Sequence, residues 1–281
     1  MTTSDDLGTK YLRLSRRGPV AWLHIDRPEK RNAMTKTMYL GTRRAVHLVH
    51  DDPDLRALII TGTGDVFAPG GDLAVADDEP LPEAAAEEFL PFATLRSTPI
   101  PVVAAVNGIC QAGGVVLASL CDIAIASDRA TFRTPDVIRG FPETWLASLL
   151  AANIGAMRAR DLVLTGRKID AAEALAMGLV SRVVPHDSLE VEAERAAYDM
   201  LEAPPLARAA AKRAINDHYG VIDEMTFRTG DRSAEAQEGF AAFVAKRPPA
   251  WAVPRPEYLR RPDVSIELYY RNEWSTVVAG R

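Results

Sequence analysis

Asn107 to Ser127, NGICQAGGVVLASLCDIAIAS, joins an apolar strand to a glycine turn and then to a run of small residues of helical length. The earlier stretch GTGDVFAPGGDL, Gly62 to Leu73, likewise carries an apolar strand into a glycine turn. Paired glycines after a strand let backbone N–H groups approach a ligand closely, because no Cβ intervenes. Two such turns, brought together, converge on a single oxygen atom.

Around them the chain reads as α/β. Apolar, β-branched runs at Val20 to Ile25, Ala57 to Thr61, Val102 to Val106 and Ile123 to Ala126 are strands separated by segments of helical length. Thr35 to Val49 has Thr at the cap position and apolar residues at Met38, Ala45, Leu48 and Val49, an amphipathic helix that Pro53 ends. Ala76 to Pro82, with Asp77, Asp78, Glu79 and two prolines, is too polar and too broken for core and reads as a solvated surface loop. From Ala147 the pattern turns helical, over 147–163, 170–177, 187–203 and 206–218, punctuated by Gly155, Gly166, Gly178 and Pro204-Pro205. Trp251 to Arg281 adds prolines and an aromatic group including Tyr258, Tyr269, Tyr270 and Trp274, which suits packing on its own or a neighbouring subunit better than disorder.

With 47% hydrophobic and 25% charged residues in 281, the chain supports one main domain with a substantial core. A net charge of -5 and a pI near 5.6 exclude the clustered basic excess of a nucleic-acid binder. Cys110 and Cys121 show neither CxxC spacing nor a histidine pair nearby, so a zinc site is not expected. They read as small buried hydrophobes in a reducing compartment rather than as nucleophiles. The start, MTTSDDLGTKYLRLSRRG, lacks the apolar core of a signal peptide, and no stretch reaches the roughly eighteen uncharged apolar residues of a membrane span. A cytoplasmic protein is therefore expected. His24 lies within an apolar strand as a core or edge residue, and His47, His50, His186 and His218 suit surface or capping positions.

Both glycine segments resemble those of the enoyl-CoA hydratase/isomerase (crotonase) family. So, in the family's order, do RPEKRNAM (Arg27 to Met34), VLTGRKIDAAEA (Val163 to Ala174), EALAMGLVSRVV (Glu173 to Val184) and EGFAAFVAKR (Glu238 to Arg247). The resemblance implies an α/β spiral of strand-strand-helix units over residues 1–200 and a helical trimerisation region over 201–250, with 251–281 left as an extension. It implies an acyl-CoA substrate and no cofactor beyond the coenzyme A that the substrate carries. It also implies a homotrimer or dimer of trimers, with neither nucleic acid nor membrane as partner.

Carried over position by position, the family's two oxyanion N–H groups fall on Gly71 and Gly113. There they would meet the enolate oxygen formed when a thioester reacts, and losing one such donor typically costs about 10²- to 10³-fold in rate. Gly113 and Gly114 also open a predicted helix, whose positive end favours that charge. For the coenzyme, the resemblance implies phosphate contacts from Arg27, Lys30 and Arg31, close backbone approach at Ala33, and adenine and pantetheine contacts along Ala68, Gly70, Asp72 and Leu73. Lys246 resembles a basic residue that reaches the CoA phosphates.

The departures concern acid and base. A hydratase of this family carries one glutamate in the helix after the glycine turn and a second about twenty residues later, and here those positions are Val116 and Asp136. Valine moves no proton and aspartate is a methylene shorter, so the two-carboxylate water clamp is absent. Glu143, in FRTPDVIRGFPETW, suits either a partly desolvated acid near the acyl chain or a carboxylate at a helix start. Asp136 suits either proton transfer or satisfaction of its own turn. Hydration of a 2-enoyl-CoA is the leading expectation. Its rivals are double-bond isomerisation, thioester hydrolysis, and binding of acyl-CoA without turnover.

Overall fold

The computed structural model describes residues 7–72, 90–137 and 144–217, with isolated positions between 234 and 257. The acidic segment 76–82 and nearly all of 251–281 lie outside the described residues.

Among the described residues, ten strands run in chain order. They are β1 (Leu12–Arg17), β2 (Val20–Ile25), β3 (Ala57–Gly62), β4 (Val66–Ala68), β5 (Val102–Val106), β6 (Ile109–Gln111), β7 (Ile123–Ser127), β8 (Thr131–Arg133), β9 (Lys168–Asp170) and β10 (Arg182–Val184). The helices are α1 (Lys36–Asp51), α2 (Phe92–Ser97), α3 (Gly113–Leu120), α4 (Thr144–Ile154), α5 (Ala156–Thr165), α6 (Ala171–Met177), α7 (Leu189–Leu201) and α8 (Pro205–Asn216). The four strands and the Thr-capped first helix expected from the pattern are present within two residues of their expected ends. The side-chain oxygen of Thr35 accepts the Met38 N–H at 3.2 Å, as a helix N-cap does.

One sheet has the order β1-β2-β3-β5-β7-β10 and a second, of shorter strands, β4-β6-β8-β9. Consecutive strands go to alternate sheets: β3, β5 and β7 lie in the first, and β4, β6 and β8 follow in the second. A helix follows β4, β6 and β8 in turn, which is the strand-strand-helix spiral. From β2 to β10 the large sheet is parallel, and β1 closes its edge as an antiparallel hairpin with β2.

Parallel strands covered on both faces need continuous rather than alternating apolar runs. Every residue of β3 and β5 is buried. One face, with Val20, Trp22, Ile59, Val103 and Ile125, packs on Ala193, Ala197 and Leu201 of α7. The other, with Leu23, Leu58, Ile60, Ala104 and Val106, packs against the interior between the two sheets and α1, α3 and α5. His24 sits half-buried near the sheet edge, where burial, then Arg13, lowers its pKa below the usual histidine value.

Two buried amides hold the sheets in step. Asn107, directly after β5, accepts the Gly62 N–H at 3.1 Å and donates to Gly64 O at 2.8 Å. Asn32 donates to Thr63 O at 3.0 Å and Val66 O at 2.7 Å, and accepts the Arg27 N–H at 3.0 Å. Together they satisfy the polar backbone of the β3–β4 turn, which is out of reach of regular ladder bonds.

Candidate active site

The strands β4, β6 and β8 are parallel neighbours, with Ala68 opposite Cys110 and Gln111 opposite Arg133. Their C-terminal ends therefore open on one edge of the small sheet, the end at which open α/β folds bind ligands. Pro69-Gly70-Gly71, Ala112-Gly113-Gly114 and Thr134-Pro135-Asp136 follow those three ends, so Gly71, Gly113 and Asp136 share that edge.

The two glycine turns touch. Gly70 has φ +101°, and a Cβ there would lie 2.7 Å from the Ala112 Cβ and 3.4 Å from the Gly113 nitrogen. Gly114 packs so closely on β4 that a Cβ would stand 2.1 Å from Ala68 O. Ala112, which caps α3, is itself held at φ 49°, a conformation that costs an alanine about 1–3 kcal/mol. Its N–H donates to Arg133 O at 3.0 Å, tying the strained turn to β8.

The direction of the N–H groups follows from the bonds around them. Gly71 forms a parallel bridge with Met34, in which Gly70 O accepts the Met34 N–H and Asp72 N–H donates to Met34 O, both at 2.9 Å. In an extended strand neighbouring peptide groups point to opposite sides, so the Gly71 N–H faces away from Met34. Gly113 is the first residue of α3, and first-turn N–H groups have no partner within their helix. Gly71 is exposed and Gly113 half-buried.

Asp136 is half-buried, with its Oδ2 shielded from solvent. Its segment is anchored just upstream, where Thr134 Oγ1 donates to Leu162 O and Arg133 Nε to Gly166 O, both at 2.7 Å. Val116 is 1% exposed and belongs to the apolar core. Cys110, at the start of the second turn, is fully buried, and burial pushes its thiol well above the usual range, which leaves it inert.

One expectation needs correction. Arg27 is fully buried and does not face a phosphate: its Nη1 donates to Asp72 Oδ2 at 2.7 Å and to Ala33 O at 2.8 Å, and its guanidinium lies 5.0 Å from the Tyr11 ring centre. A buried guanidinium is tolerated only when paired, and this pairing ties the RPEKRNA loop to the first glycine turn. Asp72 thus has its Oδ2 engaged by Arg27, while its N–H donates to Met34 O. Lys30 and Arg31 are exposed as expected, Ala33 is half-buried, and Ala68 is buried as backing for Gly114. Leu73, Glu143 and Lys246 lie outside the described residues. Among the described residues no cluster of three metal-ligating side chains occurs, and no helix is long and apolar enough to cross a membrane.

A family model for enoyl-CoA hydratase/isomerase matches residues 15–254. The chain belongs to that family. It is 36% identical over 239 residues to the "Probable enoyl-CoA hydratase" of Mycobacterium tuberculosis, covering 82% of this chain and 93% of that one. It is 35% identical over 249 residues to a mitochondrial protein of the same description from Dictyostelium discoideum, covering 84% and 88%. A solved enoyl-CoA hydratase subunit from Geobacillus kaustophilus superimposes with a TM-score of 0.76 at 31% identity, covering 85% of this chain and 96% of that one. The strand-strand-helix spiral is thus the crotonase fold.

Sequence reasoning missed Asn32 and Asn107. Asn32, at φ 61°, follows a 3-10 turn at Pro28–Lys30, and a polar residue that tolerates left-handed backbone was the available signal. Asn107 stands at the end of a fully apolar strand and directly before a glycine, a position where a side-chain amide serves the turn.

Proposed function

We propose that the protein hydrates a 2-enoyl-CoA thioester, with the enolate oxygen held by the N–H groups of Gly71 and Gly113. The observation that carries this reading is the common edge at which β4, β6 and β8 deliver two adjoining glycine turns and one carboxylate. Addition of hydroxide character at C3 drives charge onto the thioester oxygen. Donors already in place stabilise that charge without reorganising, and the positive end of α3 adds to them. Asp136, ionised, takes a proton from the attacking water as the C3–O bond forms. Its carboxylic acid, or Glu143, then returns a proton to C2, so that one water is added overall. Lys30 and Arg31, exposed beside the first turn, are the cations offered to the coenzyme phosphates.

Isomerisation is the second reading, and Val116 favours it. A single carboxylate can shuttle one proton between carbons without a partner to orient water. Incubation with a medium-chain 2-enoyl-CoA separates the two: loss of enoyl absorbance means hydration, and gain of it from a 3-enoyl-CoA means isomerisation. Binding without either change supports an acyl-CoA binder.

A homotrimer or dimer of trimers is part of the same reading. Met157 and Leu164 on α5 and Leu175 on α6 are 75%, 63% and 43% exposed, and this reading assigns them to subunit contacts. Light scattering should return three or six times the 30.6 kDa chain mass.

A further inference from the structure

Gly113 does not need to be glycine for its own backbone. It is a helical residue, with a conformation that any amino acid adopts. What excludes a side chain is Tyr39: a Cβ on Gly113 would lie 2.3 Å from the Tyr39 hydroxyl oxygen and 3.3 Å from its Cζ. The phenol oxygen therefore fills the volume of the missing methyl group. Tyr39 is itself 6% exposed, and its ring meets that of Phe92 edge-on, with centroids 6.2 Å apart and planes at 79°. Its helix is fixed by the Thr35 cap, so the ring has little freedom to withdraw. The same Cβ position is 3.8 Å from Gly70 Cα. The Tyr39 hydroxyl and the first glycine turn thus both crowd the side of Gly113 on which a Cβ would stand.

We propose that Tyr39 is a positioning residue, whose hydroxyl sets the place from which the Gly113 N–H meets the thioester oxygen. The inference rests on the oxyanion reading of Gly71 and Gly113 given above. A donor must match the oxygen as it becomes charged, and a displacement of about 1 Å at such a centre costs up to about 10²-fold. Replacing the hydroxyl by hydrogen opens a gap of one oxygen atom against the turn and lets Gly113 drift.

The test uses the full-length protein and the variants Tyr39→Phe, Gly113→Ala, Gly71→Pro and Tyr39→Phe/Gly113→Ala. Bound 2,4-hexadienoyl-CoA reports carbonyl polarisation through a red shift of its absorbance, independently of turnover. Steady-state kcat and KM for a 2-enoyl-CoA, affinity for butyryl-CoA and the thermal midpoint are measured alongside. Tyr39→Phe should keep its midpoint and butyryl-CoA affinity, lose part of the red shift, and fall about tenfold in kcat at unchanged KM. Gly113→Ala should lose more. The double variant should recover part of that loss, because the nearest ring atom is then at 3.3 Å instead of 2.3 Å. A wild-type red shift in Tyr39→Phe, or a double variant as impaired as Gly113→Ala, overturns the inference. If Gly71→Pro, still folded, abolishes the shift while Tyr39→Phe leaves it intact, the oxyanion reading stands and this one alone falls. If the wild type shows no shift, both fall.

Discussion

At the scale of single residues, the proposed hydration turns on Asp136 and Val116, the two positions where the family resemblance leads one to expect glutamates. Asp136→Asn preserves shape and hydrogen bonding while removing the base. It should lower kcat by about 10²- to 10⁴-fold with little change in affinity for a saturated acyl-CoA. An Asp136→Asn enzyme that keeps its rate, with Glu143→Gln carrying the loss instead, would move the proton transfer to Glu143. Val116→Glu tests the missing partner. The side chain at 116 is 1% exposed among apolar neighbours, so a carboxylate there either reaches the substrate edge or is buried unpaired. Burial without a partner raises a carboxylate pKa and destabilises the fold. The expected outcome is a lower thermal midpoint together with a gain in hydration of 2-enoyl-CoA. A stable variant with no gain would show that the site is built for one carboxylate.

At the scale of elements, Asn107 joins the end of β5 to the β3–β4 turn. Asn107→Ala leaves the Gly62 N–H and Gly64 O without their side-chain partner, at a cost of about 1–3 kcal/mol for each group that water cannot reach. Urea unfolding should show a lower midpoint at unchanged slope, and a midpoint equal to wild type would mean that water replaces the amide. This same scale decides how much was legible in the sequence. The runs at Ala57 to Thr61 and Val102 to Val106 announced themselves because both faces are buried, and Thr35 announced α1 because a cap is local chemistry. Of the three-residue strands, β4 and β6 were read only as apolar runs leading into glycine turns, and β8, β9 and β10 went unread: so short a strand has no period, and its pairing is fixed by partners distant in sequence. The glycine turns were readable from their composition, but their convergence depends on the parallel register of those short strands. Arg27 misled for the converse reason. A loop arginine beside a lysine and another arginine looks like an anion contact, and only the fold brings Asp72, forty-five residues away, to meet it.

At the scale of the whole molecule, an ion pair fastens α8 to the sheet. Lys212 is 8% exposed, and its Nζ donates to Ile100 O and to Asp122 Oδ2, both at 2.8 Å. The same carboxylate oxygen accepts the Val102 N–H at 2.7 Å at the start of β5. Burial raises the Asp122 pKa above the usual aspartate value even though Lys212 opposes that shift. Lys212→Met keeps the length of the side chain and removes the counter-charge, so the carboxylate is left buried with less to hold it ionised. Breaking a fully buried pair from one side costs about 3–5 kcal/mol, and this pair, whose Asp122 side chain is 17% exposed, should cost less. The pH dependence has a definite sign. A carboxyl whose folded pKa lies above its unfolded value binds more protons in the native state, so its contribution is present below the unfolded value and is lost as pH rises through the folded one. Without Lys212 the folded value rises further, and the gap between variant and wild type should be larger at pH 8 than at pH 5. Adding Asp122→Asn to Lys212→Met should abolish that difference, because no charge is then left to bury. Thermal midpoints of the three proteins at both pH values decide it: a deficit in Lys212→Met that is equal at pH 5 and pH 8 would mean that α8 is held by the packing of its apolar neighbours, with the ion pair contributing little.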